Sequence, residues 1–203
     1  MTSDSRLHPM WFGGAAILPV ATDVSLTTAD GEMFGAELAV RRLRLTERLD
    51  RPFELVLDVL TPELDLDVER LLGARGSVPI VRPDHAFRIV HGVVTRAEYV
   101  ATRERRLHAR LVVESPLALL RHGRRRRIFA DQTLLQVLES VTAEVFETHG
   151  GEWHFDRLRG EYRPRDYVVQ YDETDLDFVL RLLAEAGVCL VSCDGGDHEV
   201  VVL

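Results

Sequence analysis

The chain has 203 residues, 46% of them apolar and 29% charged, with a net charge of −8. This composition builds an ordinary folded core and excludes a disordered chain, and the acidic balance excludes a general nucleic-acid binder, whose footprint is basic overall. The length fits one large domain or two small ones. All 25 basic residues are arginine, and lysine and asparagine are absent, which reads as the codon usage of a GC-rich bacterial genome. Two cysteines make no disulfide framework for a chain this size, so a reducing compartment is expected.

The apolar run Met10 to Ala21 could pass for a weak signal peptide, but Gly13, Gly14 and Pro19 interrupt it, and a packed N-terminal segment is the stronger reading. The run is too short to span a membrane. Glu37 to Leu45 reads as a strand and Arg48 to Pro52 as a charged turn. Phe53, Leu55, Leu57 and Val59 then alternate with Glu54 and Asp58 as a half-buried strand. Asp65 to Leu72 is predicted to be a short helix stopped by Gly73. Ser77 to Val81 is a strand whose Pro79 lacks a donor and therefore belongs at an edge or bulge. Phe87 to Val100 and Arg106 to Glu114 form a hairpin, with a bulge or bend expected at Gly92.

Pro116 marks a change of character. Thr133 caps a helix, Gln136 completes its capping box, Leu134, Leu138, Val141 and Val145 line one face, and Gly150-Gly151 ends it. Trp153 and Phe155 open another strand, and Tyr167, Val169 and Tyr171 alternate with Val168 and Gln170 as a further one. Thr174 caps the next helix, Asp175 and Asp177 complement its dipole, and Gly187 stops it. Its apolar arc of Leu176, Phe178, Val179, Leu180, Leu182, Leu183 and Ala186 is wide enough to be covered on two sides, so the helix should be wedged between layers. Asp177–Arg181 and Arg181–Glu185 have the spacing of surface ion pairs. The chain closes with a hairpin, Val188 to Cys193 and Val200 to Leu203, turned at Asp194-Gly195-Gly196-Asp197.

The run Gln170-Tyr171-x-Glu173-x-Asp175-Leu176-x-Phe178-x-x-Arg181-Leu182-Leu183-x-x-x-Gly187 resembles the signature of the VgrG family, the tip proteins of type VI secretion, in their N-terminal hub region, which is related to phage baseplate hub and late-control tail proteins. Leu71-Leu72-Gly73, His91-Gly92-Val93-Val94-Thr95-Arg96, and Pro116 through Arg127-Ile128-Phe129 into a helix agree in the family's order. The resemblance covers roughly Val24 to Leu203. It implies an α+β protein: an N-terminal extension over 1–23, a mainly antiparallel, barrel-like tube domain over 24–115, and a smaller α+β segment over 116–203. It also implies a hub that trimerises, docks on a hexameric tube of Hcp-like protein and carries a spike or meets other baseplate subunits. Such a hub would be assembled in the bacterial cytoplasm into a secretion or tail apparatus, with export alongside it left open. The chain ends on an apolar strand, so it is expected to be short of the family's second tube-like domain, neck and spike.

Four groups of residues invite other chemistry. Cys189, Cys193 and His198 offer three of the four ligands that zinc needs and no paired Cys-x-x-Cys, so free thiols are the stronger reading. His91 has no partner in a recognised catalytic motif and reads as a core histidine. Arg121, Arg124, Arg125, Arg126 and Arg127 form the densest charge run; a partner-facing patch outweighs nucleic-acid contact because no aromatic residue interleaves with them, and a plain solvated face is the bland alternative. The acids Asp172, Glu173, Asp175 and Asp177 lack the glycine and terminal glutamate of a calcium loop and read as capping and dipole complement. No catalytic, cofactor or metal site is therefore assigned. Gln170, Tyr171, Glu173, Asp175, Phe178, Arg181 and Gly187 are read as structural, and the leading function is a hub component of a contractile injection machine. The competing reading is an effector enzyme such as a cell-wall hydrolase, or an effector adaptor, on a similar scaffold.

Overall fold

The computed structural model describes residues 11–12, 15–16, 24–27, 37–81 and 87–203. Most of Met10 to Ala21 lies outside them; β1 (Trp11–Phe12) and β2 (Ala15–Ala16) pair there as a minimal hairpin. The strands β3 (Ser25–Thr27), β4 (Ala39–Arg48), β5 (Arg51–Thr61), β6 (Arg75–Val81), β7 (Phe87–Arg103) and β8 (Arg106–Glu114) form one antiparallel sheet, in the order β3-β6-β7-β8-β5-β4.

Period-2 patterning sets the faces of this sheet. Phe53, Leu55, Leu57, Val59 and Thr61 of β5 are all buried, and the register sets Leu55 opposite Val113, Leu57 opposite Leu111 and Val59 opposite Ala109. The same apolar cluster takes in Leu26 from one edge strand and Val40, Leu43 and Leu45 from the other. A sheet whose two edges share one core is curled around its own apolar face. Among the described residues β3 and β4 do not pair, so the curl stays open.

Two sequence expectations change here, and a third holds. The stretch Asp65 to Leu72 forms only a 3-10 turn, Val68–Leu71, because Asp67 caps it on the Glu69 amide and Leu72 is already extended. Gly92 is not a bulge: β7 is regular there and shifts register only between Val94 and Arg96 and between Tyr99 and Ala101. What requires glycine is close approach, since a Cβ at Gly92 would lie 2.4 Å from the Glu114 carbonyl oxygen and 3.0 Å from the Phe53 ring. Pro79 stands at an edge, as expected: among the described residues the β3 ladder stops at Ser25–Ser77 and Pro79 is paired only with Ile89 of β7.

The second half begins with a 3-10 turn, Pro116–Arg121, capped by Ser115. β9 (Arg124–Gln132) leads into α1 (Leu134–His149), whose capping box is complete: Gln136 N donates to Thr133 Oγ1 (3.2 Å) and Thr133 N to Gln136 Oε1 (2.9 Å). β10 (Glu152–His154), β11 (Arg165–Thr174), α2 (Asp175–Ala186), β12 (Val191–Asp194) and β13 (Glu199–Val202) follow. β11 pairs with β9 as a two-stranded ribbon. The last strand pairs with β12 as the expected hairpin and also with β10, antiparallel to the first and parallel to the second.

α2 is wedged between layers, as its wide arc requires. Phe178, Val179, Leu182 and Leu183 are buried, and Phe178 stacks on Phe129 of the ribbon with ring centroids 5.6 Å apart. The fold is α+β and mainly antiparallel. Among the links between the two halves is Asp50, whose amide donates to the Leu190 carbonyl at 3.1 Å and whose Oδ1 accepts from the Leu190 amide at 2.9 Å.

Candidate functional site

The ribbon and α2 bring the arginine run and the signature residues into one clasp. On β11, Val168 and Gln170 point inward, while Tyr167, Val169 and Tyr171 are exposed. Gln170 is wholly buried: its Oε1 accepts from Arg127 Nε at 2.8 Å, and its Nε2 donates to Asp175 Oδ1 at 2.8 Å and to the Glu173 carbonyl at 3.2 Å. Asp175, the first residue of α2 and also buried, is paired with the Arg127 guanidinium and has Arg125 Nε at 3.3 Å from its second oxygen. A buried carboxylate is stable only when matched in this way, by charge and by hydrogen bonds together. Asp175 was expected to complement the helix dipole; it also closes a buried ion pair, which the sequence reading missed.

Arg181 closes the other side. It donates to Glu173 and Glu185, each at 2.7 Å, and to the Val169 carbonyl at 3.0 Å, and its guanidinium stands 5.4 Å from the centre of the Phe178 ring. Asp177, expected to pair with Arg181, bonds instead to Thr174, whose hydroxyl also accepts from the Asp177 amide as the N-cap. Asp172 makes this geometry possible. It sits at a positive φ of 54°, where the β9–β11 register shifts, and this kink turns the chain from strand into helix. Gly187 caps α2 in the left-handed conformation, as predicted.

The remaining arginines lie along the outside. Arg121 pairs with Glu114 at 2.6 Å, Arg124 donates to the Asp172 carbonyl at 2.7 Å, and Arg126 lies 3.7 Å from the Asp172 carboxylate and 5.3 Å from the Tyr171 ring centre. Apart from Arg121, which ends the preceding turn, the run lies on β9, with Arg127 turned into the clasp, Arg125 reaching its Asp175 carboxylate, and Arg124 and Arg126 on the rim.

A second polar group joins the terminal hairpin to the sheet, and sequence reasoning found only parts of it. His91 Nδ1 is 2.9 Å from Ser77 Oγ, its directly opposed neighbour on β6, and Nε2 lies 3.5 Å from Asp194 Oδ1 without forming a hydrogen bond to it. Asp194 also accepts from the amides of Ile89 (3.1 Å) and Gly196 (2.8 Å). Burial pushes its carboxyl up, but those amides with His91 and Arg88 outweigh the effect and hold it below its ordinary value. Ser115 Oγ donates to Glu199 Oε2 at 2.7 Å; burial pushes the Glu199 carboxyl up to about 7 despite that bond. His198 contacts Asp197 and lies 3.2 Å from Glu152, and these carboxylates hold its imidazolium above the usual range.

Serine, histidine and aspartate thus come together without the layout of a nucleophile. Ser77 is a mid-sheet rung between β3 and β7, and Asp194 is occupied by two amides. Cys189 and Cys193 are exposed, and among the described residues no group of three histidine, cysteine or acidic side chains is arranged to hold a metal ion. The signal for Glu199 was present in the sequence, as a lone acid heading the apolar strand Glu199-Val200-Val201-Val202. Ser77 and Ser115 carried none, because their roles depend on register.

The fold is thus a curled antiparallel sheet joined to an α/β segment that is held together internally by a buried ion-pair clasp. Residues 46–203 match the family described as phage tail baseplate hub (GPD), and the chain belongs to that family. Among curated proteins it is 28% identical over 171 residues to the type VI secretion system spike protein VgrG1b of Pseudomonas aeruginosa, covering 84% of this chain and 22% of that one. It is 32% identical over 144 residues to VgrG4b of the same organism, covering 70% of this chain and 17% of the relative. The chain spans about a fifth of the length of these relatives.

Among solved structures, an E. coli component of the type VI secretion system with structural similarity to the T4 bacteriophage tail proteins gp27 and gp5 superposes with a TM-score of 0.74 at 24% identity, over 88% of this chain and 48% of that one. The 43 kDa tail protein of prophage MuSo2 from Shewanella oneidensis gives 0.62 at 16%, over 88% and 52%. These two likenesses concern the fold.

Proposed function

We propose that this chain is the hub segment of a contractile injection machine, of the type VI secretion or phage-tail kind, that associates with copies of itself and docks on a tail tube of Hcp-like protein. The observation that carries the reading is the family match over residues 46–203. The clasp supports it in physical terms: the signature residues spend their chemistry on holding α2 and the ribbon rigid, and a subunit in a mechanically loaded assembly needs that rigidity.

In this reading the chain has two working parts, meeting near Ser115, where one apolar cluster ends and the other begins. The role is non-catalytic, assembly takes place in the bacterial cytoplasm, and the arginine rim faces a partner. No helix among the described residues is long and apolar enough to cross a membrane. Light scattering of the purified chain, alone and mixed with the tube protein of the same organism, tests the proposal. A trimer, or a stable complex with tube hexamers, supports it. A folded monomer that ignores the tube defeats it.

A further inference from the structure

The outer face of the ribbon is built like a contact surface. Three alternate rungs pair Tyr167 with Ala130, Val169 with Ile128 and Tyr171 with Arg126, all on the side away from α2. Ile128 is 73% exposed, Tyr171 72% and Tyr167 69%, although their neighbours Phe129, Val168 and Gln170 are buried. The strip is about 14 Å long at the strand rise per residue. Arg125 and Arg126, with side chains 54% and 67% exposed, form a cationic border at one end. A contiguous apolar strip with tyrosine and arginine at its centre and rim has the composition of an interface, and its exposure in the isolated chain is unfavourable.

The chain also carries a surface of the opposite character. Between β5 and β6, Glu63, Asp65, Asp67 and Glu69 are all exposed, with Arg70 the one cation among residues 62–72, and Leu64 and Leu72 stand out from them at 49% and 48% exposure. This acidic, aliphatic loop packs on the first apolar cluster through Leu66, Val68 and Leu71, whereas the ribbon packs on the second through Phe129 and Val168.

We propose that the ribbon face of one copy docks on the 62–72 loop of a second copy, tyrosines and Ile128 against Leu64 and Leu72, arginines against the four carboxylates. The two surfaces differ, so the contact is head-to-tail, and head-to-tail contacts close into rings when the rotation allows. The inference rests on the reading above that the hub self-associates, and it names the surfaces that do so.

Light scattering over a concentration series of the full chain tests it, with R126E, I128D, D65R and the R126E/D65R pair. All three positions are exposed and outside the clasp and the cores, so folding is retained. The expected result is that R126E, I128D and D65R each weaken association at least about tenfold and that the charge-swapped pair recovers most of the loss. A wild-type chain that is monomeric throughout removes the self-association reading and this contact with it. A wild-type oligomer unaffected by R126E and I128D overturns the contact while leaving self-association standing. An oligomer weakened by the ribbon variants alone, with D65R silent and no recovery in the pair, assigns the ribbon to a different partner surface and overturns the second-copy loop as occupant.

Discussion

Gln170 and Asp175 lie five positions apart, one on a strand and one on the helix that follows it, and share a 2.8 Å hydrogen bond in which both side chains are buried. The kink at Asp172 brings them together, and Arg127 from the neighbouring strand completes the group. The family signature is therefore the visible half of a buried polar clasp whose other half lies some forty residues upstream.

Removing one member of this clasp leaves its partners short of a countercharge or a hydrogen bond. D175A should destabilise the fold by about 3–5 kcal/mol, because Arg125 and Arg127 lose their countercharge. R127A should cost a similar amount, and the double variant less than the sum, since each deletion removes the same contacts. Urea unfolding of the three variants measures this. Additive losses would show that the residues act independently.

The seam beside the terminal hairpin should make stability depend on pH. The Glu199 carboxyl is raised to about 7 in the fold by burial, so below pH about 4.5 both folded and unfolded forms are protonated and it contributes no pH dependence. As pH rises from there to about 7 the unfolded form ionises first, and stability falls by on the order of 3 kcal/mol. His198, raised chiefly by Asp197, acts in the same direction: its contribution is full below the ordinary histidine range and is lost as pH rises through the folded value. His149, lowered by its burial and by Arg75, acts oppositely and weakens the fold as pH falls. E199Q should be more stable than wild type at pH 8 and show no such advantage at pH 4. Parallel pH profiles for the two proteins would refute the assignment.

Gly92 should not accept a side chain. G92A places a methyl group against the Glu114 carbonyl and the Phe53 ring, and the forced strand displacement should cost about 1–3 kcal/mol. A thermal melt indistinguishable from wild type would show that the strands separate freely.

The hairpin clip should be separable from the cores. D194A removes the acceptor for the Ile89 and Gly196 amides and should cost about 1–3 kcal/mol, with the loss of hydrogen-exchange protection concentrated at those two amides. Uniform loss across β5 and β8 would mean that Asp194 supports the whole sheet.

Much of this architecture was legible where periodicity and caps speak locally. The β5 alternation, the Thr133–Gln136 box, the Thr174 cap and the Gly187 stop all stand where the residues placed them. Cross-strand relations were not. Arg127 reads as one charge in a run until β9 pairs with β11 and turns it toward Gln170, and Ser77 gains its role only from the rung that opposes it to His91. Asp177 was misjudged because helical spacing permits the Arg181 pair, but the nearer Thr174 hydroxyl and the better placed Glu173 compete for the two ends. A residue's local pattern predicts its element, and its partner depends on which strand arrives beside it.

The reciprocal bracket between Asp50 and Leu190 bears on how the chain is made. Its two ends are 140 positions apart, so a growing polypeptide has presented the Asp50 turn and completed most of the first sheet well before Leu190 exists. Over that interval the turn must wait with its amide and carboxylate open to water. The bracket can therefore close only once the chain as far as Leu190 has been made, so the first sheet is in place before the hairpin is fastened to it.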